Sequence, residues 1–527
     1  MANTFDVIVI GGGANGLVAA GVLARAGRRV LVLERAASIG GQGRIITFAP
    51  GFSAAPLAAD AGWVPPNVSR GIGLTTPSRV VPGAAITVAA GDGGYLSLDC
   101  DPARAAESIR RHSARDAGQW GAFVARVRAL SGFLEAMYEL PAPDIDTTSV
   151  REILPLLGLG RKFRALGRTD MTELLRVMPM PVHELLDDWF ESAALKAAVA
   201  AGGVQNIQQG PRSGGTSFVM LHHLVGAPAG SVRARGWWRD GPDAFAKAAG
   251  SLAVGSGATV RASANVSTIT VRTDAVTGVV LESGEEIAAP VVLSTADPAR
   301  TLLGLVDPIW LDAEFLHAVT NIKFRGCRAV VLYALDALPN FPGLDRATEA
   351  LAGTVSLTPT LERLERAYDA AKYGETSTSP HVEISVPSLR WPSLAPAGKH
   401  VMVATVQWAP YALRDPAGWD AVASAALGDR VTAVIAEVAP ALASHVSHRV
   451  VMNPRELEQQ FALTQGAATQ GELSLDQILF MRPVAGSCNY AMPIPGLYLG
   501  GSGTHPGPGI PGGAGWLAAR RVLADRR

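Results

Sequence analysis

Apolar runs and a helical pattern alternate at the start of the chain. Residues 5–10 read FDVIVI, a run rich in β-branched residues, which is typical of a buried parallel strand. The alanine-rich stretch LVAAGVLARAG (17–27) predicts a helix, and RRVLVLER (28–35) predicts a second buried strand. The first 35 residues therefore predict a strand–helix–strand unit whose two strands are parallel.

The rest of the chain divides into helical and strand-rich parts. Residues 102–200 predict helices, and a mixed helix and strand pattern returns at 243–271. Further strands are predicted within CRAVVLYAL (327–335), HVEISVPSL (381–389) and KHVMVATVQWAPY (399–411), and a helix within VTAVIAEVAPAL (431–442). This order fits a mixed sheet capped by helices.

Composition narrows the classes of function. With 527 residues, two or more domains are expected. The 46 basic and 46 acidic residues cancel, so charge gives no argument for binding nucleic acid, and none is expected as a partner. No uncharged apolar run reaches the roughly 18 residues that a membrane-spanning helix needs.

The N-terminal sequence and the cysteines indicate where the protein is expected to be located. The N-terminus MANTFDVIVIGGG has no basic region and no cleavage site, so no signal peptide is expected. Cys100, Cys327 and Cys488 are far apart and fit neither a metal cluster nor a disulfide scaffold. We therefore expect a cytoplasmic protein without a bound metal.

A glycine-rich turn joins the first strand to the first helix. Gly11, Gly13 and Gly16 have the G-x-G-x-x-G spacing, which allows a tight turn, close approach of a pyrophosphate and close packing of the helix. The helix N-terminus offers N–H groups to phosphates. Glu34, eighteen residues after Gly16, is placed to accept hydrogen bonds from ribose hydroxyls. This combination predicts a dinucleotide site.

The motif alone does not choose between FAD and NAD, but two further features bear on the identity of the cofactor. The acid at Glu34 disfavours a 2′-phosphate, and so NADP. GGQGR (40–44) follows, where the backbone can run beside an extended cofactor and Arg44 can meet phosphate or flavin oxygens. An ordinary surface loop with a solvated arginine is the alternative for this segment.

A second glycine-rich segment lies near the end of the chain. PGLYLGGSG (495–503) predicts a strand that runs into glycines, and GAGWLAARRVLADRR (513–527) predicts a helix. The loop between them, THPGPGIPGG (504–513), combines glycine with proline, so that its backbone can lie rigidly against a flat ring. N–H groups near Ile510 and Gly512 are placed to face the C2 carbonyl of a flavin.

These motifs together resemble a known family. The combination of GGGANG, Glu34, GGQGR and MPIPGLYLGGSGTHPGPGIPGGAG (492–515) is similar to the phytoene desaturase-like flavoproteins, which belong with the amine oxidase-like FAD proteins. GATVRASANVSTI (257–269), VVLSTADPARTLLGL (291–305) and GELSLDQILFMRP (471–483) extend the resemblance over most of the chain.

The resemblance implies a fold and a set of cofactor contacts. The expected class is α/β: a Rossmann-like FAD domain of the GR2 type from residues 1–75, 230–300 and 480–527, and a discontinuous α+β substrate domain from 76–229 and 301–479. The expected cofactor-binding residues are Gly11, Gly13, Ala14, Asn15, Gly16, Glu34, Arg35, Gly41, Arg44, Val266, Gly501, Ser502, Gly509, Ile510 and Pro511.

Catalytic and substrate residues are less well marked. His505, His223 and Tyr411 are catalytic candidates, and each has a structural alternative as a loop anchor or a core residue. Trp237, Trp238 and Arg239 are substrate candidates, Arg239 through a bidentate bond to a carboxylate. The alternatives are core packing for the tryptophans and an ion pair of Arg239 with its neighbour Asp240.

The resemblance also implies a reaction. We expect an FAD-dependent dehydrogenase or desaturase that moves a hydride from a C–H of an apolar or cyclic small molecule to flavin N5 and forms a C=C bond. The segment 236–252 departs from the family at residues 239–242, which indicates a substrate other than a carotenoid. An amine oxidase, a C=C saturase and a non-catalytic flavin-binding protein are the open alternatives.

The sequence leaves the partners open. Oxygen, a quinone or a carrier protein each suit the role of electron acceptor, and the oligomeric state is not indicated. Residues 151–190 mix apolar runs with basic side chains, which is consistent with peripheral contact with a membrane. Core helices with a solvated basic face are the other interpretation of this segment.

Overall fold

The structure is a computed structural model of the whole chain. It describes residues 5–58, 60–81, 83–90, 94–142, 150–228, 231–344 and 346–526.

The strands belong to sheets of five, seven, three and two strands. In chain order they are β1 Val7–Ile10, β2 Val30–Leu33, β3 Ile46–Ala49, β4 Phe52–Ala54, β5 Arg79–Val80, β6 Ala84–Ala89, β7 Tyr95–Asp99, β8 Trp237–Trp238, β9 Thr259–Arg261, β10 Val266–Arg272, β11 Ala275–Leu281, β12 Glu286–Ala288, β13 Val292–Ser294, β14 Arg328–Leu335, β15 Val355–Ser356, β16 His381–Ser385, β17 His400–Gln407, β18 Val446–Met452 and β19 Leu497–Leu499.

The α-helices are concentrated between residues 102 and 222. In chain order they are α1 Ala14–Arg25, α2 Pro66–Ile72, α3 Pro102–Arg110, α4 Ala114–Tyr138, α5 Val150–Ala165, α6 Gly167–Val177, α7 Val182–Trp189, α8 Ala193–Ala200, α9 Thr216–His222, α10 Ala244–Gly255, α11 Ala313–Thr320, α12 Ala347–Ala352, α13 Leu361–Lys372, α14 Ala421–Ala436, α15 Leu442–His445, α16 Pro454–Phe461 and α17 Gly513–Asp525.

A five-stranded parallel sheet carries the predicted N-terminal unit. Its order is β19-β13-β1-β2-β9, so strands from both ends and the middle of the chain pair side by side. β1 and β2 are fully buried because α1, α10 and α17 pack on one face, and the antiparallel strands β10 and β11 contribute to the core on the other. The predicted strand–helix–strand unit is confirmed, and so are the strand and helix predicted at the C-terminus.

A seven-stranded mixed sheet forms a second layer, in the order β18-β14-β17-β16-β15-β6-β7. One face packs on α12, α14 and α15, and the other face covers the hairpin β3–β4 and the loop near Trp391. The strands predicted between 327 and 411 are therefore confirmed as β14, β16 and β17. The helix predicted within 431–442 is the end of α14, which begins at Ala421 and ends at Ala436. Asp420 caps its N-terminus by accepting a hydrogen bond from the N–H of Ala423.

The helices predicted between 102 and 200 are confirmed as α3 to α8. They share one apolar core with α9 and α13, centred on aromatic side chains such as Trp120 and Phe123. Within the segments that the structure describes, no helix combines the length and the apolar character needed to cross a bilayer. The boundaries of the two expected domains stay a prediction.

Candidate functional site

A cavity of about 400 Å³ opens at the carboxyl ends of the parallel strands. Residues that directly follow β1, β2 and β13 line it, together with Ser502 shortly after β19 and residues from the seven-stranded sheet. Ligands of open α/β sheets bind at this edge, because the strand ends and the helix N-termini converge there.

The first glycine-rich turn forms one wall of the cavity. Gly11, Gly13, Ala14 and Asn15 all line it, and α1 begins at Ala14. Gly16 lies outside the wall, because its role is packing: a Cβ at this position would overlap the carbonyl oxygen of Gly11. The helix N-terminus therefore faces the cavity with its N–H groups.

The carboxylate of Glu34 is held in a fixed orientation beside this turn. Oε2 accepts a hydrogen bond from the N–H of Gly12 and Oε1 one from the N–H of Ala36, each at 2.8 Å. The side chain is 8% exposed and lines the cavity. Each carboxylate oxygen keeps a further lone pair for an incoming hydroxyl.

Three guanidinium groups gather on the same side of the cavity. Arg35, Arg44 and Arg300 all line it. Arg35 and Arg44 donate to backbone carbonyls at the end of α16, both reaching the oxygen of Gln460. Burial lowers the pKa of Arg35, and the positive charges of Arg300 and Arg44 lower it further. Three like charges at one wall favour an anionic ligand.

The second glycine-rich segment forms another part of the wall. Ser502, Gly509, Ile510 and Pro511 line the cavity, whereas Gly501 packs against the backbone of Thr295 outside it. The loop is tied to other parts of the chain, since the carbonyl of Gly509 accepts from the N–H of Trp63 at 2.9 Å. Of the fifteen residues expected to contact the cofactor, all but Gly16 and Gly501 lie in the cavity wall.

The histidine candidates differ in position. The ring of His505 lies outside the cavity and its Nε2 donates to the carbonyl of Leu140 at 3.1 Å, so it anchors the loop. Its neighbour in space, His222, donates through Nε2 to the carbonyl of Pro508 and accepts through Nδ1 from the hydroxyl of Tyr138. Of these three histidines, His223 alone lines the cavity.

The remaining catalytic and substrate candidates also differ in whether they line the cavity. Tyr411 donates to a carboxylate oxygen of Glu458 at 2.6 Å and does not line the cavity. Trp238 lines the cavity and stacks on Phe245, whereas Trp237 packs under the guanidinium of Arg390. Arg239 is exposed and outside the cavity wall.

The seven-stranded sheet adds a polar wall that the sequence analysis did not identify. Arg328, Gln407 and His381 are paired across β14, β17 and β16, and Thr405 and Glu383 are paired in the next inward-facing row. All five line the cavity, together with Arg235. Val330, in the same row as Thr405, and Leu332 and Val403, in the next row along this face, belong to an apolar core with the hairpin β3–β4.

The charges in this wall are unequally paired. Glu383 accepts from the buried Arg233 at 2.5 Å and from Arg235 at 2.9 Å. Although burial opposes it, the charges of Arg233 and Arg235 hold the pKa of Glu383 well below its usual range. Burial lowers the pKa of His381 to about 4 and that of His223 well below its usual range, so both imidazoles are neutral at pH 7.

Comparisons with known proteins agree with this geometry. Residues 9–66 match the model of the NAD(P)-binding Rossmann-like domain. The chain is 32% identical over 544 residues to pyridine nucleotide-disulfide oxidoreductase domain-containing protein 2 of Rattus norvegicus, covering 99% of this chain and 94% of that protein. It is 26% identical to the hydroxyneurosporene desaturase of Rubrivivax gelatinosus, again with 99% and 94% coverage.

Among solved structures, putrescine oxidase bound to putrescine superposes with a TM-score of 0.58, at 14% identity and 99% coverage of both chains. That similarity is one of fold. The fold and the relatives define an oxidoreductase of the FAD type related to desaturases, as the sequence motifs predict. The chain belongs to the family of pyridine nucleotide-disulfide oxidoreductase domain-containing protein 2.

Proposed function

We propose that this protein is an FAD-dependent dehydrogenase that converts a C–C single bond of a small molecule into a C=C bond. The observation that carries the proposal is that two glycine-rich segments, at residues 11–16 and 500–512, line one cavity with a polar wall from a second sheet. The desaturases among the relatives support the choice of reaction.

The proposed cofactor contacts follow the length of the cavity. Glu34 would hold the adenosine ribose, Val266 would lie against the adenine, and the N-terminus of α1 with Arg44 would hold the pyrophosphate. The backbone from Gly509 to Pro511 would lie against the flavin ring. FAD bound there supplies a hydride acceptor for a substrate carbon.

The chain's own groups would orient the substrate and take up the second hydrogen. Trp238, which is 6% exposed, supplies an apolar surface in the wall. His223 is neutral at pH 7, so its imidazole is free of charge and able to accept a proton from the carbon next to the one that loses the hydride. Its strongly lowered pKa makes it a weak base, which suits a reaction led by hydride loss.

The geometry disfavours two other chemistries. An amine substrate would bring an ammonium group beside the positive charges of Arg235 and Arg328. In the described part of the cavity wall, the aromatic side chains other than histidine are Trp238, Phe245 and Phe461, and no tyrosine is among them. Disulfide chemistry is disfavoured because none of the three cysteines, all within described segments, lines the cavity. Burial raises the pKa of the Cys327 thiol, which keeps it protonated.

Anaerobic reduction of the purified flavoprotein tests the proposal. Saturated carboxylic acids, apolar hydrocarbons and primary amines are added in turn, and bleaching of the flavin band is followed. We expect bleaching by a compound without nitrogen, a desaturated product, and a slower reduction in the H223A variant with an unchanged oxidised spectrum. Reduction by amines alone would contradict the proposal.

A further inference from the structure

The guanidinium of Arg328 is buried without a countercharge. The residue is 8% exposed and lines the cavity at the start of β14. Nη2 donates to the carbonyl of Pro56 at 3.1 Å and to the hydroxyl of Thr405 at 3.2 Å. Nε is buried with no hydrogen-bond partner, and among the described residues no carboxylate lies within 4.0 Å of the guanidinium.

Its neighbours cannot neutralise it. Glu383 is the nearest acid in the polar wall, and both of its oxygens are already bonded, one to Arg233 and one to Arg235. Burial lowers the pKa of Arg328 to about 10 and the charge of Arg235 lowers it further, while the charge of Glu383 offsets only part of this shift. At pH 7 the group is therefore still charged, so three guanidiniums face one carboxylate.

Other groups in the wall do not change this balance. His381 and His223 are neutral, and Gln407 uses its amide to bond backbone carbonyls of Val204 and Ile207. Asp60 also lines the cavity, but its Oδ1 accepts from the N–H groups of Gly62 and Gly236. A buried, unpaired cation is costly unless a ligand supplies the missing charge.

We propose that the substrate is an organic carboxylate whose anionic end binds Arg328, with Arg235 beside it. This inference rests on the proposed dehydrogenase function and narrows its substrate class. The planar fork of a guanidinium matches the two oxygens of a carboxylate. A carboxylate substrate also accounts for the polar wall at the end of an otherwise apolar sheet face. A purely hydrocarbon substrate would form no hydrogen bond with that wall.

Calorimetric titration with matched pairs of ligands tests the inference. The probes are butyrate, benzoate and octanoate, each compared with its uncharged amide, at pH 7.5. We expect binding of at least one carboxylate to be tenfold or more tighter than that of its amide, since a charge-assisted bond is lost with the charge. Equal affinities, no carboxylate binding, or tighter binding of phenyl phosphate would overturn the assignment.

Variants locate the site. R328M is expected to weaken carboxylate binding at least tenfold, and R328K to restore part of it. R235M carries the same test if R328M does not fold, since the Arg235 side chain is 18% exposed and Arg233 still pairs with Glu383 in that variant. R239M is the matched control, because this exposed arginine lies four residues from Arg235 and outside the cavity. Unchanged affinity in both R328M and R235M would overturn the inference.

The flavin absorbance of the same samples separates the two proposals. A protein that binds carboxylates but carries no flavin contradicts the dehydrogenase function and still supports the carboxylate site at Arg328. A flavin-loaded protein that binds no carboxylate contradicts only the proposed carboxylate site at Arg328. An arginine that serves only the reduced flavin would shift the flavin potential in R328M without any change in carboxylate affinity, and that result would also overturn the assignment.

Discussion

Side chains of one type do different work in this protein according to their partners. Arg233 donates to the carboxylate of Glu383 and to the carbonyl of Ala198, whereas Arg328 has only neutral partners. Arg239 is exposed and outside the cavity. The position in the fold therefore decides which arginine stabilises the protein and which is left for a ligand.

Substitutions of the two buried arginines are expected to change the free energy of unfolding by different amounts. R233M removes one partner of a buried ion pair and should lower the free energy of unfolding by about 3–5 kcal/mol. R328M removes a cation without a countercharge and should lower it by less than about 1 kcal/mol. Urea unfolding of both variants measures this difference. A larger loss in R328M than in R233M would contradict the view that Arg328 is unpaired.

The contact between α1 and α17 links the two ends of the chain. Gly515 in the first turn of α17 lies against the backbone of Asn15, and a Cβ there would overlap the Asn15 carbonyl. Its N–H also donates to the side chain of Asn15, at 3.4 Å. This approach sets the spacing between the two glycine-rich walls of the cavity.

Alanine at Gly515 should therefore separate the two helices. G515A is expected to lower the free energy of unfolding by about 1–3 kcal/mol, as overpacking does, and to weaken flavin retention. G121A is the control, because Gly121 lies in the middle of α4 with open space around it. There the same change should raise stability by about 0.5–1 kcal/mol. Similar effects at both positions would rule out close packing as the cause.

The sequence predicts elements that are local and misses those that depend on pairing. The turn from Gly11 to Gly16 and the acid at Glu34 lie within one strand–helix–strand unit, so their spacing is enough to place them. The polar wall arises from strands β14, β16 and β17, whose register is set by tertiary structure. The alternation of His381 and Glu383 in HVEIS is the one local sign, and it does not reveal the facing Arg328.

Buried neutral histidines join distant parts of the whole molecule. His222 and His505 connect the helical region to the C-terminal loop through Pro508 and Leu140, and His381 bonds the hydroxyl of Thr358. Burial lowers the pKa of each of the three to about 4. The folded state therefore binds fewer protons than the unfolded chain between pH 4 and the usual imidazole value of 6.5.

Stability should accordingly fall with acidity. The contribution of each histidine is fully present above pH 6.5 and is lost as the pH falls towards 4, amounting to about 2 kcal/mol per imidazole by pH 5. In H505Q, the free energy of unfolding should fall by about 2 kcal/mol less between pH 8 and pH 5 than in the unmodified protein. The stability of H505Q at pH 8 separately measures the effect of the altered hydrogen bond. Urea unfolding at several pH values decides this. An unchanged pH dependence in H505Q would contradict the neutral state of His505.

The central claim is that the two glycine-rich segments and the parallel sheet form one FAD site. The most direct measurement is the visible spectrum of the purified protein, followed by denaturation and mass identification of the released chromophore. We predict flavin bands near about 370 and about 450 nm, close to one FAD per chain, and loss of most of that FAD in G515A but not in G121A. A colourless protein that takes up no added FAD would contradict the account.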